Sequence, residues 1–216
     1  MTLEIYCARH GQSMVQADDT LVLSNRQHLL TEEGVRQAHA LGEYTREKLL
    51  AGKIKGPITI HTSEYPRAIE TAVILRSKLR FPISQEKMEI CIHGDLNEMS
   101  WVGREPWPTM TQLQEKYQHQ DIMSKFEDPD FKLDPAGESV SDVYRRVSDF
   151  MHRLETDPAY EDIHSTAIIV SHQYVMQAIY ARRNGLGPQG MHRFKFTNAV
   201  LQQLSFSSTG EKDKPS

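Results

Sequence analysis

Apolar and polar side chains alternate over residues 3–8, Leu3-Glu4-Ile5-Tyr6-Cys7-Ala8, with the two-residue period of a β-strand. Residues 57–61, Pro57-Ile58-Thr59-Ile60-His61, read as a second strand, and residues 89–93 as a short third. Residues 166–170, Thr166-Ala167-Ile168-Ile169-Val170, are almost continuously apolar, as in a strand buried on both faces. Residues 200–206 read as a late strand.

Helical periods lie between these strands. Thr31 is placed as an N-cap, Val35, Ala38, Leu41 and Leu49 form a stripe running toward Leu50, and Gly52 ends the segment. A second helix over residues 67–79 carries Ala68, Ala72, Leu75 and Leu79 on one face. Gly137-Glu138-Ser139 precedes a third helix, whose stripe is Val140, Val143, Val147, Phe150, Met151 and Leu154. Another helix follows from Tyr174. Residues 94–138 are the least regular and are expected to hold short helices, one over residues 110–117. This βα alternation predicts an α/β fold, a three-layer α/β/α sandwich with a mainly parallel central sheet.

The chain has 216 residues with no Gly/Ser-rich or Pro-rich break, so a single domain over residues 1–207 is expected. It would carry a cap-like insertion around residues 94–138 and a polar, disordered tail over residues 208–216. An apolar fraction of 38% suffices for a core at this length. The net charge of −4 argues against a general nucleic-acid binder. Cys7 and Cys91 sit in apolar strand-like runs and read as buried thiols rather than a disulfide or a metal site. No signal peptide and no membrane-spanning apolar run is evident, so a cytoplasmic protein without membrane contact is expected.

Chemistry concentrates where the strands end. Arg9-His10-Gly11 follows the first strand, placing a cation, an imidazole and a permissive backbone at its carboxyl end, where open α/β sheets hold ligands. The apolar strand ends in Ser171-His172. If both strands are central and parallel, the two imidazoles share one pocket. The strand over residues 57–61 leads through Thr62 and Ser63 to a helix with Arg67 in its first turn, an anion site. An arginine there opposes the helix dipole, which favours an anion partner.

These pieces resemble the histidine phosphatase superfamily, the phosphoglycerate-mutase-like enzymes. The resemblance rests on Arg9-His10-Gly11-Gln12-Ser13, on Leu30-Thr31-Glu32-Glu33-Gly34 with Gln37-Ala38, and on Ser63 through Arg67-Ala68 with Thr71-Ala72. Leu96-Asn97-Glu98, Gly137-Glu138-Ser139 and Val170-Ser171-His172 complete it, in the family's order over roughly residues 3–207. It implies an antiparallel edge strand, and a metal-independent phosphomonoester hydrolase acting through a phosphohistidine. His10 would be the nucleophile. Arg9, Arg67 and His172 would hold the phosphoryl oxygens with backbone N–H groups near Gly11. Gln12, Ser13, Gln16 and Gln173 would border the substrate. The second ring nitrogen of His10 should donate to a carbonyl in the Gly11 region, which fixes the tautomer. Glu98 is the implied general acid. Glu105 is a nearby competitor, but Leu96 two residues before Glu98 matches the family's pattern. No cofactor and no metal is expected, since the histidines are not at metal-motif spacings.

The remaining histidines, His28, His39, His61, His93, His119, His152, His164 and His192, read as surface or packing residues. Trp101 and Trp107 read equally as core or pocket mouth.

Departures from the family surround the pocket. Gln173 stands where Gly is usual after the second histidine, Gln12 where Glu is common, Gln16 where Asn is common, and Gln27 where an acidic residue often precedes the Leu-Thr pair. Ser100-Trp101-Val102-Gly103-Arg104 only partly matches the acidic-aromatic-Gly run after the acid. Three functions follow: a phosphatase acting on a small phosphorylated metabolite, a mutase, or a non-catalytic phospho-ligand binder. A mutase needs further cations, and residues 99–138 offer only Arg104, Lys116, Lys125 and Lys132, with no arginine pair. Retention of His10 and Glu98 argues for an enzyme. The partner is a small phosphorylated substrate, and a homodimer remains open.

Overall fold

The computed structural model describes residues 3–18, 21, 24–79, 88–101, 115, 127–160 and 165–204. The expected tail over residues 208–216, Glu105, Trp107 and all of the helix expected over residues 110–117 except Glu115 lie outside these residues.

In chain order the elements are β1 (Leu3–Arg9), α1 (Met14–Ala17), α2 (Glu32–Leu50), β2 (Ile58–Thr62), α3 (Pro66–Leu79), β3 (Met88–Ile92), α4 (Val140–Thr156), β4 (Ser165–Ser171), α5 (Gln173–Arg183) and β5 (Gln202–Leu204). Short 3₁₀ turns occupy Gly94–Leu96, Pro158–Tyr160 and Pro188–Arg193. The strands form one sheet in the order β3-β2-β4-β1-β5. Pairings β3–β2, β2–β4 and β4–β1 are parallel, and β5 is antiparallel to β1. The expected α/β/α sandwich with its antiparallel edge is therefore the fold observed.

Central β4 is buried at every residue. Its near-continuous apolar run satisfies two packed faces. One face, with Tyr6, Ile58, Ile60, Ile168 and Val170, packs against Leu41 of α2 and Ala72, Leu75 and Leu79 of α3. The other, with Ile5, Cys7, Ala167 and Ile169, packs against Val143, Val147, Phe150, Met151 and Leu154 of α4 and against α5. The α4 stripe is the expected one, with Val140 only half-buried.

The expected α2 stripe is met in part: Ala38 and Leu41 are buried and Leu49 packs against the core, but the buried face also takes in small residues outside the stripe. Val35 is 36% and Leu50 60% exposed, whereas Gly34, Ala38, Leu41, Gly42 and Thr45 are buried. The physical reason is the close approach of α2 to α3: a Cβ on Gly42 would stand 2.7 Å from the Lys78 side chain. Small residues define the contact, and Thr45 satisfies its hydroxyl on the Leu41 carbonyl at 2.7 Å. A search for large apolar residues misses such a face. Cys7 is fully buried as expected, but Cys91 is only half-buried. Among the described residues no helix is long and apolar enough to cross a membrane.

Candidate active site

The parallel register of β1 and β4 pairs Arg9 with Ser171. The next residues, His10 and His172, therefore leave adjacent strands at the same level. Their ring centroids lie 4.9 Å apart, edge to face, and both side chains are buried. The backbone N–H of His10 donates to the Ser171 carbonyl at 2.9 Å, carrying the pairing one residue past the strand.

The His10 ring is fixed at both nitrogens. Nδ1 lies 2.6 Å from the Gly11 carbonyl, and Arg67 Nε donates to Nε2 at 3.3 Å. A carbonyl can only accept, so Nδ1 carries the proton and Nε2 keeps its lone pair. Burial, followed by the charge of Arg67, holds the His10 pKa well below the usual imidazole range. Both effects favour the neutral ring, with its lone pair on Nε2.

The Gly11 backbone is itself held. Its N–H donates to Thr71 Oγ1 at 3.1 Å, and a Cβ at Gly11 would stand 2.4 Å from the Gly34 carbonyl oxygen. A Cβ at Gly34 would in turn stand 2.1 Å from the Gln12 carbonyl oxygen. Both glycines are needed for this backbone contact. Thr31 caps α2 as expected, its Oγ1 accepting from Gly34 N–H at 3.0 Å. It also donates to the Gln12 side chain at 2.9 Å. Gln12 is thereby turned toward the start of α2. Ser13 and Gln16 form a reciprocal cap on α1, and Gln16 accepts from Asn198 at 3.2 Å.

Arg67 enters from the first turn of α3 and is buried. Its guanidinium is steered by Asn25, whose Oδ1 accepts from Nη2 at 3.0 Å, and lies over the Tyr65 ring at 5.1 Å. Arg9 Nη1 donates to the Phe196 carbonyl at 3.1 Å, while its buried Nε has no hydrogen-bond partner among the described residues. His172 Nε2 and Ser63 Oγ are 2.7 Å apart, and Nδ1 of the same ring is buried without a partner among the described residues. Arg9 Nε is a buried donor suited to an anion, and His172 Nδ1 is a second when the Ser63 hydroxyl donates to Nε2.

Glu98 stands at the start of α5. Its Oε1 accepts from the backbone N–H groups of Met99 at 3.0 Å and Tyr174 at 3.2 Å. Burial raises its pKa above the usual carboxyl value, and the charges of Arg67 and Arg9 oppose the rise. These two arginines also act on His10. The Glu98 segment is clamped by Glu138, which accepts from Ser100 N–H at 2.9 Å and pairs with Arg146 at 2.7 Å. Arg146 also donates to the Asp95 carbonyl at 2.6 Å. Gly137 allows this clamp to close, since a Cβ there would stand 2.5 Å from the Trp101 carbonyl oxygen. Trp101 packs edge-on to Tyr174 at 5.4 Å and is partly buried.

The structure therefore brings Arg9, His10, Gly11, Arg67, Glu98 and His172 to the carboxyl ends of β1, β2 and β4. It turns Gln173 aside: its amide donates to the Phe194 carbonyl and accepts from Phe196 N–H, each at 3.3 Å, bracing the segment that holds Arg9. Sequence reasoning gave no role to Asn25, Ser63, Thr71, Asn198 or Arg146. Asn198 donates to the His10 carbonyl at 2.7 Å from a turn 188 residues away. Ser63 and Thr71 sat inside a recognised motif and offered some signal; the other three offered none.

A model of the histidine phosphatase superfamily (branch 1) matches residues 5–212. The chain belongs to this superfamily. No curated protein sequence matches it. Among solved structures it is similar to the α-ribazole phosphatase from Shigella flexneri, with TM-score 0.70 and 23% identity over 95% of this chain and 92% of that one. It is also similar to a mycobacterial glucosyl-3-phosphoglycerate phosphatase complexed with VO₃, with TM-score 0.71 and 21% identity over 94% and 91% of the two chains. A structure titled mycobacterial hydrolase 1 gives TM-score 0.73 at 20% identity over 94% and 88%. At these identities the likeness is one of fold. Within the superfamily fold, the branch 1 match spans both strand-end histidines and both arginines of the site.

Proposed function

We propose that this protein hydrolyses a small phosphomonoester through a phosphohistidine on His10, using its own side chains and no metal. Nε2 of His10 attacks phosphorus, and the bond from phosphorus to the leaving oxygen breaks. Arg9, Arg67 and His172 hold the equatorial oxygens, where charge is spread in the transition state. Glu98, protonated, gives its proton to the leaving oxygen. As a carboxylate it then takes a proton from water. The water oxygen attacks phosphorus, the P–N bond breaks with its electron pair returning to Nε2, and inorganic phosphate leaves.

What supports this is the lock on His10. With Nδ1 held on the Gly11 carbonyl, Nε2 alone has a lone pair, and substrate would take the place of the Arg67 N–H that now meets it. The raised pKa of Glu98 supports its role as the acid. Superfamily membership and the phosphatases among its structural neighbours favour hydrolysis. Arg145, Arg146 and Arg182 are paired with Asp142, Glu138 and Glu155, so they do not supply the extra cation cluster of a mutase.

The test is hydrolysis of para-nitrophenyl phosphate by the wild type and His10→Ala, in chelator, from mildly acidic to neutral pH. Turnover that falls on the order of 10⁴-fold or more in a folded His10→Ala protein is expected. Comparable turnover in the variant, or strict dependence on added metal, would contradict the proposal.

A further inference from the structure

We propose that the chain carries a second site, separate from the phosphoryl pocket, in which His61, Cys91 and His93 bind a zinc-class divalent ion. Three strand relationships assemble it. His61 and Cys91 are register partners on the parallel strands β2 and β3. Neighbours in register project from the same face of a sheet, and so do residues two apart on one strand. His93 follows Cys91 by two residues and joins that face just beyond the end of β3. The result is three ligand atoms all within 4.8 Å of one another, with His61 Nδ1 and His93 Nε2 only 3.0 Å apart.

That spacing is close to what a tetrahedral ion needs. Metal–nitrogen bonds of about 2.0–2.1 Å and a metal–sulfur bond of about 2.3 Å place ligand atoms roughly 3.3–3.7 Å apart. The two nitrogens share a hydrogen bond at 3.0 Å, so its proton moves to the other nitrogen of its own ring and the pair separates by a few tenths of an ångström, while the sulfur closes by about one ångström at most. A mixed N/S donor set suits Zn²⁺ rather than Mg²⁺ or Ca²⁺, which take oxygen.

The surroundings agree. His61 is buried, and its pKa falls to about 4, first through burial and then through His93. Burial also lowers His93. Burial thus disfavours the protonated form of both rings, and the neutral form is the one a metal binds. Burial raises the Cys91 thiol, but a coordinated thiol is deprotonated by the metal itself. Phe150 of α4 contacts both rings edge-on, with centroids 5.8 Å and 5.0 Å away, and forms an apolar wall. The negative charges that reach the rings are Asp157 at His61 and Asp95 at His93, and Arg153 is the opposing cation. A single thiolate and two neutral imidazoles leave the fourth position to water.

Such an ion would brace the edge of the sheet. His93 N–H donates to the Thr62 carbonyl at 2.8 Å. Thr62 leads directly to Ser63, which contacts His172, and His93 leads through the Gly94–Leu96 turn toward Glu98. None of the three ligands has a part in the phosphoryl chemistry, so the site is a structural clasp beside the catalytic one. It would hold whether or not that chemistry is as proposed.

The experiment uses the whole purified chain, stripped with chelator and kept reduced, titrated with Co²⁺ as a spectroscopic probe and with Zn²⁺ as competitor. A thiolate-to-Co²⁺ absorption band saturating at one equivalent and lost in Cys91→Ser is expected. Zn²⁺ at a hundredfold excess over its Kd should raise the wild-type Tm by roughly 5–10 °C and leave that of His93→Ala unchanged. Metal-free turnover should be the same in the wild type and both variants. No thiolate band in the wild type would overturn the proposal. So would a band retained in Cys91→Ser, or an equal Zn²⁺ effect in His93→Ala, which would put the metal elsewhere, on the His10–His172 pair for example.

Discussion

Arg67 Nε donates to Nε2 of His10 across 57 residues of sequence, at 3.3 Å, and the Arg67 side chain is almost fully buried. Burial first, and then a cation so close, holds the imidazole neutral, and in the proposed reaction a phosphoryl group would come between the two side chains. The guanidinium can then serve two phosphoryl oxygens, while Asn25 fixes the plane of its fork. Arg67→Ala should lower kcat by about 10²–10³-fold, the scale for one transition-state donor. Arg67→Lys should recover little of it. Asn25→Ala should cost about tenfold, since it leaves the cation in place and frees only its orientation. Steady-state kinetics on one substrate measures all three, and a loss below tenfold in Arg67→Ala would mean that the guanidinium does not serve the reaction.

As the proposed acid, Glu98 should separate two kinds of substrate. A poor leaving group needs its proton, and an aryl oxide hardly does. Glu98→Gln should therefore slow alkyl phosphates much more than para-nitrophenyl phosphate, at least in the first transfer. The pH dependence follows from the same group. His10, with its lowered pKa, stays neutral to lower pH than an ordinary imidazole, and Glu98, with its raised pKa, keeps its proton to higher pH than an ordinary carboxyl. Turnover of alkyl phosphates should peak at mildly acidic pH and fall as pH rises through the Glu98 pKa. The fall should be absent from Glu98→Gln. Equal losses on both substrate types would contradict the acid role.

Glu138 is a positioning residue for Glu98. It holds Ser100 N–H and Arg146, and Arg146 holds Asp95, on either side of the Glu98 backbone. Glu138→Ala leaves the largely covered Arg146 without its carboxylate, a change that costs on the order of 3 kcal/mol when full and less at this partial exposure. Beyond a lower Tm, it should reproduce the leaving-group selectivity of Glu98→Gln in weaker form. A uniform loss on both substrate classes would assign Glu138 to stability alone.

Asp142 gives a stability test away from the site. Its carboxylate pairs with Lys132, caps α4 through Ser139 and pairs with Arg145, and its pKa drops to about 2, with the Lys132 contact the largest cause. A depressed carboxyl stabilises the fold above its ordinary pKa near 4, and that stability disappears as pH falls through 2. Urea unfolding should find Asp142→Ala about 1–2 kcal/mol less stable at pH 6. The gap should narrow steadily below pH 4. A gap independent of pH would exclude the charge as its source.

The sheet and the strand-end residues were legible because they obey short-range rules. The continuous apolar run of β4 announces a strand covered on both faces, and Arg9-His10-Gly11 and Ser171-His172 each sit directly at a strand end. Parallel pairing in one register then places the two histidines together. The α2 face was legible only in part: Ala38 and Leu41 lie on the expected apolar stripe, but Gly42, which closely approaches α3, and the buried Thr45 belong to no apolar period. Nor was the triangle of His61, Cys91 and His93, because it depends on which residue of β2 faces which residue of β3. Asn25 and Asn198 reach Arg67 and His10 from turns whose course follows no period in the chain. Gln173 shows the opposite case: its place beside His172 in sequence suggested substrate contact, yet its amide is held by the backbone of Phe194 and Phe196.

The most direct test of the central claim is rapid quenching of the wild type with ³²P-labelled phosphomonoester, followed by peptide mapping of the labelled protein. An acid-labile, base-stable phosphoryl group on His10, formed and lost at rates compatible with turnover and missing from His10→Ala, is the predicted result. Turnover with no trapped phosphoenzyme, or label on any other residue, would contradict a covalent mechanism through His10.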